Sequence, residues 1–173
     1  MNLSEQTWDK ANQTLYRFVM PKVPHFIPKK YQIENFTING NSVNLPGINI
    51  SAMDREWQGG KIKYPDARVT WNDLQITYLV DEDYNNWKLF WYWIAYMNNN
   101  KDKYTEDFDK IVTDARLIII NNWMQVHKPV LEVFFKNIWP CNLSDLNLTT
   151  KIDGAEILEA SISFAFDRCE LIE

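Results

Sequence analysis

The segment from Leu74 to Met97, LQITYLVDEDYNNWKLFWYWIAYM, constrains the fold more than any other part of the chain. Leu74, Ile76, Tyr78 and Val80 alternate with Gln75 and Thr77, and period two marks a strand with one buried face. After Asp81-Glu82-Asp83 the spacing becomes helical, with Tyr84, Trp87, Trp91 and Ile94 at i, i+3, i+7 and i+10. A strand therefore runs straight into an acidic cap and an aromatic helix. The acids have an ordinary use there: an Asp at the N-cap satisfies orphan amides, and negative charge favours the positive end of the helix dipole. Trp87, Phe90, Trp91, Ile94 and Met97 make one apolar stripe, which is expected to face the core. The other side carries Asn85, Leu89, Tyr92 and Tyr96, where a monomer would place charge. Leu89, Tyr92 and Tyr96 are therefore expected against a second protein chain.

A chain of 173 residues with 46% apolar content can bury a real core and is expected to form a single domain over 1–173. Aromatic residues make up 14%, including eight Trp, and such area ends in a core or a protein interface. The net charge of −5, with Lys29-Lys30 as the longest basic run, argues against a protein that grips nucleic-acid phosphates. Cys141 and Cys169 cannot make a disulfide framework, so a reducing compartment fits better. The start, MNLSEQTWDK, lacks the apolar core of a signal peptide, and no run approaches the ~20 apolar residues of a membrane span. The expectation is a soluble intracellular product.

Residues 1–13 read as a polar arm. Strands are expected at Leu15–Val19 and Tyr31–Ile38, joined through Pro21, Pro24 and Pro28, with a turn at Asn39-Gly40. Residues 41–66 form a long excursion holding Leu45-Pro46-Gly47, Ile48-Asn49-Ile50 and Gly59-Gly60. It reads as two short strands joined by a loop that exposes Trp57, and long ordered loops serve function or partners. Further strands are expected at Arg116–Asn121, at Leu131–Lys136 and at Glu159–Asp167, the last with Ala160, Ile162, Phe164 and Phe166 inward. About seven strands and one central helix result.

Catalytic chemistry has little to stand on. His25 and His127 lie far apart, and no HxH, HExxH or CxxC spacing supports zinc. No GxSxG, GxGxxG or GxxxxGK[ST] occurs, and five glycines can hardly build a phosphate cradle. Neither cysteine has a neighbouring base to activate it. No catalytic, cofactor-binding or metal-binding residue is nominated, and the reading is not an enzyme.

Three blocks carry a family resemblance. The first is Leu45-Pro46-Gly47-Ile48. The second runs from Gly60-Lys61-Ile62 through Trp71-Asn72-Asp73-Leu74-Gln75-Ile76-Thr77 to Trp93. The third is Ile138-Trp139-Pro140-Cys141-Asn142-Leu143-Ser144-Asp145-Leu146 with the closing strand. In their order and spacing they resemble the tail-tube fold of contractile-tailed, T-even-like bacteriophages, and they cover most of residues 40–168. Tyr78-Leu79-Val80-Asp81-Glu82-Asp83 followed by Asn86-Trp87 is more similar to the head-proximal tail-completion, or tube-terminator, relative. The Trp-Pro-Cys-Asn-Leu-Ser-Asp-Leu block is more similar to the repeating tube subunit, and both remain open.

The resemblance implies a mainly β, α+β subunit: an antiparallel β-sandwich or partial barrel with one central helix. Six subunits would close into a ring, their strands joining into one inner barrel that carries DNA as non-specific cargo. The tubes of type VI secretion and of tailocins follow the same plan. Implied partners are a homo-hexamer, neighbouring tube, baseplate or neck rings and the tail sheath, with no membrane and no cofactor. The implied location is the virion tail, after assembly in the bacterial host cytoplasm. Within that frame Leu45, Pro46, Gly47 and Trp57 are expected at a subunit or ring contact. Gln75 and Thr77, with Glu159, Ser161 and Ser163, are expected to line the channel, because they are small, polar or acidic and lie opposite the apolar faces of their strands. The reading from another class is a monomeric β-sandwich binding module, lectin-like, that stacks sugars on Trp57.

Overall fold

The computed structural model describes residues 16–31, 36–38, 40–100, 104–120, 131–148 and 157–172. The polar arm at 1–13 and His127 lie outside them. The strands are β1 (Tyr16–Met20), β2 (Phe36–Ile38), β3 (Gly40–Asn44), β4 (Ile48–Trp57), β5 (Gly60–Trp71), β6 (Leu74–Leu79), β7 (Thr113–Ile119), β8 (Leu131–Leu143), β9 (Glu159–Ala165) and β10 (Arg168–Ile172). A long helix α1 (Asn85–Asn99) and a short one α2 (Tyr104–Ile111) follow β6. Every strand pairing is antiparallel.

Eight of the ten described strands form two sheets that share β8. One runs β2-β1-β7-β8 with β10 on the far side of β8, and the other runs β8-β9-β6-β3. Residues 131–138 of β8 pair with β7, whereas Trp139–Leu143 pairs with β9. A strand that changes sheets must bend, and the bend is at Asn137, whose φ of 52° is left-handed. Asn tolerates that region better than most residues. Its amide nitrogen donates to Asp114 Oδ1 at 3.1 Å, and its Nδ2 donates to Asp167 Oδ2 at 2.7 Å. The corner is thus pinned to both flanking strand ends.

Alternation builds the core between the sheets. Leu74, Ile76 and Tyr78 of β6, with Ala160, Ile162 and Phe164 of β9, are buried alongside Phe18, Met20, Leu117, Val133 and Phe135 of the facing sheet. Of the expected inward sets these six are in place, while Val80 and Phe166 lie just beyond the strand ends and are half-buried against the core. The expected strand at Leu15–Val19 overlaps β1 and that at 116–121 overlaps β7 as far as Ile119, whereas Tyr31, expected to open a strand reaching Ile38, lies in a 3-10 turn (Lys29–Tyr31) and only Phe36–Ile38 of that stretch is a described strand.

Helix α1 exists as expected but is turned about its axis. Leu89, Phe90 and Trp93 are the buried residues, while Trp91 is 49% exposed and Trp87, Ile94 and Met97 are half-buried. Leu89, expected against another chain, instead belongs to the core at 1% exposure. Phe90 meets Phe36, Tyr78 and Phe164 edge-on with ring centroids 5.7–5.8 Å apart. The Trp93 indole N–H donates to the Ile111 carbonyl at 2.8 Å, tying α1 to the end of α2. The acidic cap also works differently. Tyr84 occupies the N-cap position with φ 59°, and Asp81, three residues earlier, accepts the Asn86 amide at 3.0 Å. Asn86 in turn accepts the Trp87 amide at 2.8 Å.

The excursion after β3 is not two short strands and a loop. It is one long hairpin, β4 with β5, forming a two-stranded sheet of its own. Gln58 and Gly59, with φ of 35° and 88°, make its tight turn, as the right-handed twist of hairpins favours. Trp57 stands at the tip.

Candidate assembly interface

The register of β6 against β9 brings the five residues expected in the channel together. Gln75 faces Ser163, Thr77 faces Ser161 and Leu79 faces Glu159, on the side of the sheet opposite the core. Thr77 Oγ1 and Ser161 Oγ are 3.0 Å apart and hydrogen-bonded. Residues on the neighbouring strands extend this face. Ser42 and Asn44 of β3 lie across from Thr77 and Gln75, and Asn142 of β8 lies across from Ser163. Asn44 Nδ2 donates to Gln75 Oε1 at 3.3 Å, and Asn41 Nδ2 donates to Glu159 Oε1. The outcome is a four-stranded polar surface with one acid and no base among these positions. Sequence reasoning missed Ser42, Asn44 and Asn142, although Ser42-Val43-Asn44 already shows the alternation that would have revealed two of them.

Leu45-Pro46-Gly47 sits where β3 leaves that sheet and the hairpin begins. The Gly47 carbonyl accepts the Asn72 amide at 3.2 Å, and a Cβ at Gly47 would press on Asn72 Nδ2 at 3.2 Å. Glycine thus lets the two roots of the hairpin lie side by side. Leu45 is exposed, and Trp57, 65% exposed, lies at the opposite end of the hairpin. The structure does not bring the two together. They are the root and the tip of one projecting element.

The hairpin's distal part has two distinct faces. Met53 pairs with Tyr64 and Arg55 with Ile62, so these residues share a side with Trp57. The Arg55 guanidinium lies 5.7 Å from the Tyr64 ring centre, within cation–π reach. The other side pairs Asp54 with Lys63 and Glu56 with Lys61, opposite charges placed directly across the strands. All ten residues of β4 are exposed. An isolated two-stranded hairpin is at best marginally stable in water, so an apolar side of this size needs cover.

The aromatic side of α1 is partly covered within the subunit. Tyr96 stacks on Phe26 at 3.8 Å and 6°, and the Tyr92 ring lies 5.5 Å from that of Tyr31. Tyr92 keeps an exposed edge, and Trp91 packs on it edge-on.

No catalytic arrangement accompanies these surfaces. Among the described residues no group of three or more His, Cys, Asp or Glu could hold a metal ion. Cys141 lies 3.6 Å from Asp73 Oδ2 and 3.3 Å from the Ser163 carbonyl. Burial and the Asp73 charge push its thiol up to about 11, the opposite of what a nucleophile needs. Burial and the Glu170 charge raise Cys169 as well. Tyr78, deep in the core, is pushed up by burial and then by Asp81. Among the described residues no helix is long and apolar enough to cross a membrane.

The family described as phage tail tube protein matches residues 11–171. This chain belongs to that family. Over 174 residues the chain is 24% identical to the tail tube terminator protein of Enterobacteria phage T4, covering 96% of this chain and 92% of that one. Its fold is shared with the sheath/tube terminator of an extracellular contractile injection system, PVC, in the extended state. That likeness has a TM-score of 0.68 at 13% identity, over 96% of this chain and 99% of the other. The tube-terminating cap of the anti-feeding prophage is similar too, with a TM-score of 0.63 at 16% identity over 98% and 99% of the two chains. The α+β architecture of antiparallel sheets and one long helix is thus shared with these two terminators, and membership of the family makes the chain a structural component of a phage tail tube.

Proposed function

We propose that this chain closes into a hexameric ring at the head-proximal end of the inner tube, as a terminator, and performs no catalysis. The single observation behind the ring is the hairpin β4–β5: long, apolar on one side, exposed throughout β4 and hydrogen-bonded to neither sheet of its own subunit. Such an element makes sense when a neighbour covers it. The terminator position is favoured over the repeating tube by the relation to the T4 terminator along nearly the whole chain. The likeness to the PVC sheath/tube terminator supports the same position.

In the ring, the β3-β6-β9-β8 sheet turns its polar side to the lumen. Gln75, Thr77, Glu159, Ser161 and Ser163 then meet passing DNA with no cation to hold its phosphates, so the duplex slides. Leu45-Pro46-Gly47 and Trp57, at the two ends of the hairpin, contact the next protomer or the adjoining ring. Tube and sheath rings are the axial partners, and the particle assembles in the host cytoplasm.

Native mass measurement and electron images of the purified protein test the ring. Closed rings are expected, and strictly monomeric protein at high concentration, with no ring in virions that contain it, overturns the reading. Quantitative mass spectrometry of virions tests the position. One ring's worth of copies per tail fits a terminator, whereas a copy number that scales with tail length makes the chain the repeating subunit.

A further inference from the structure

A groove of about 900 Å³ runs between α1 and the segment that follows the corner of β8. Trp87, Trp91 and Ile94 form its helical wall, and Leu146 and Leu148 form the other. Trp91 is 49% exposed and Leu148 71%, so no described residue of the subunit fills it. Lys88 and Asp145 supply its charges, and Lys88 already donates to the Asp83 carbonyl at 2.8 Å.

We propose that this groove receives the apolar side of the distal β4–β5 hairpin of a neighbouring copy. The inference rests on the ring reading and names its contact. A rotationally closed ring is built from heterologous contacts, which require two different complementary patches on one chain. The chain carries two such patches. One is convex, with Met53, Trp57, Ile62 and Tyr64 on a projecting ribbon. The other is concave, with Trp87, Trp91 and Ile94 on its floor. Their sizes agree: Met53 to Trp57 spans about 13 Å at a strand's rise, and Trp87 to Asn98 spans about 17 Å of helix. Their charges agree as well. Arg55 is the one charged residue among the apolar-side positions 53, 55, 57, 62 and 64, and Asp145 is the one acid that lines the groove. The side bearing Asp54, Glu56, Lys61 and Lys63 stays turned to water, its charges already matched across the ribbon.

Charge reversal in the full chain tests the pairing. Arg55→Glu or Asp145→Arg alone should weaken assembly at low salt by about tenfold or more, and the two together should restore it, as close interfacial charge pairs do. Each variant should keep the thermal midpoint of the dilute subunit, since both positions are exposed. A photo-crosslinking residue in place of Ile62, in rings mixed from heavy- and light-isotope protein, should join residues 84–98 or 141–148 of a different chain. Rings that form normally with either single reversal, or crosslinks that fall elsewhere, overturn the docking and leave the ring standing. Protein that is monomeric at every concentration removes both.

Discussion

Truncating Trp93 to alanine should cost the isolated subunit about 3–5 kcal/mol, the usual penalty for emptying a buried Trp site. The side chain is fully buried, so at ~25 cal/mol per Å² over an area of ~250 Å² its transfer term approaches 6 kcal/mol as an upper bound. Alanine retains part of that. The Ile111 carbonyl, now without its indole donor, adds about 1–3 kcal/mol unless water reaches it. Trp93→Phe isolates that second contribution, because the ring burial largely remains. Trp91, 49% exposed, offers the control: water fills the space it leaves, no cavity forms, and Trp91→Ala should cost only about 1–2 kcal/mol. Urea unfolding at concentrations too low for assembly reads all three, with an unchanged slope as the sign that the folded state is intact. A Trp91→Ala loss equal to or above that of Trp93→Ala would refute the rotation of α1 described above.

Removing residues 52–65, which are paired end to end in the hairpin, should leave a folded subunit whose thermal midpoint shifts by only a few degrees, roughly 1 kcal/mol or less, while ring formation is lost. Calorimetry and native mass measurement on the same sample check both halves. Alkylation of Cys141 should follow a profile centred near pH 11, and Asp73→Asn should move it down by removing the carboxylate that opposes the thiolate. The folded pKa lies above the ordinary value of 9.0, so any linked stability is present below pH 9 and fades as pH rises toward 11; an unchanged profile in the variant would show that Asp73 is not the cause. Replacing Glu159 and Ser161 with Lys should slow DNA passage at low salt while rings still form, with single-particle ejection kinetics as the readout.

The parts of the fold that were legible in the sequence are those with one buried side. In β6 and β9 the core takes every second residue, so Leu74, Ile76, Tyr78, Ala160, Ile162 and Phe164 could be assigned without knowing their partners. The same logic named the polar residues between them, but their union into one surface depends on the β6–β9 register, which pairs positions such as Thr77 and Ser161 that are far apart in the chain. Helix α1 defeated the method because it is apolar nearly all round. Trp87, Trp91 and Ile94 make one helical stripe, Leu89, Phe90 and Trp93 make another, and the packing of Phe90 among Phe36, Tyr78 and Phe164 decides between them. The hairpin hid for the opposite reason. Neither of its sides faces a core, Pro65 interrupts its second strand, and the alternation of Met53, Arg55 and Trp57 looks like loop composition until Tyr64 and Ile62 are set across from it. Helix α2 and strand β10 gave no comparable signal, being only 8 and 5 residues long.

The shared strand β8 has a mechanical consequence. In a sandwich whose layers meet only through side chains, a push along one layer can make it slip over the other. Here the polar sheet and the facing sheet share β8 as consecutive stretches of one backbone, joined at Asn137 and clamped there by Asp114 and Asp167. Force along the polar sheet therefore reaches the facing sheet as tension in a covalent chain. For the layers to shear, the ladder from β8 to β7 or to β9 would have to unzip. A subunit built this way resists sliding of its layers by stretching, with Asn137 acting as the rivet.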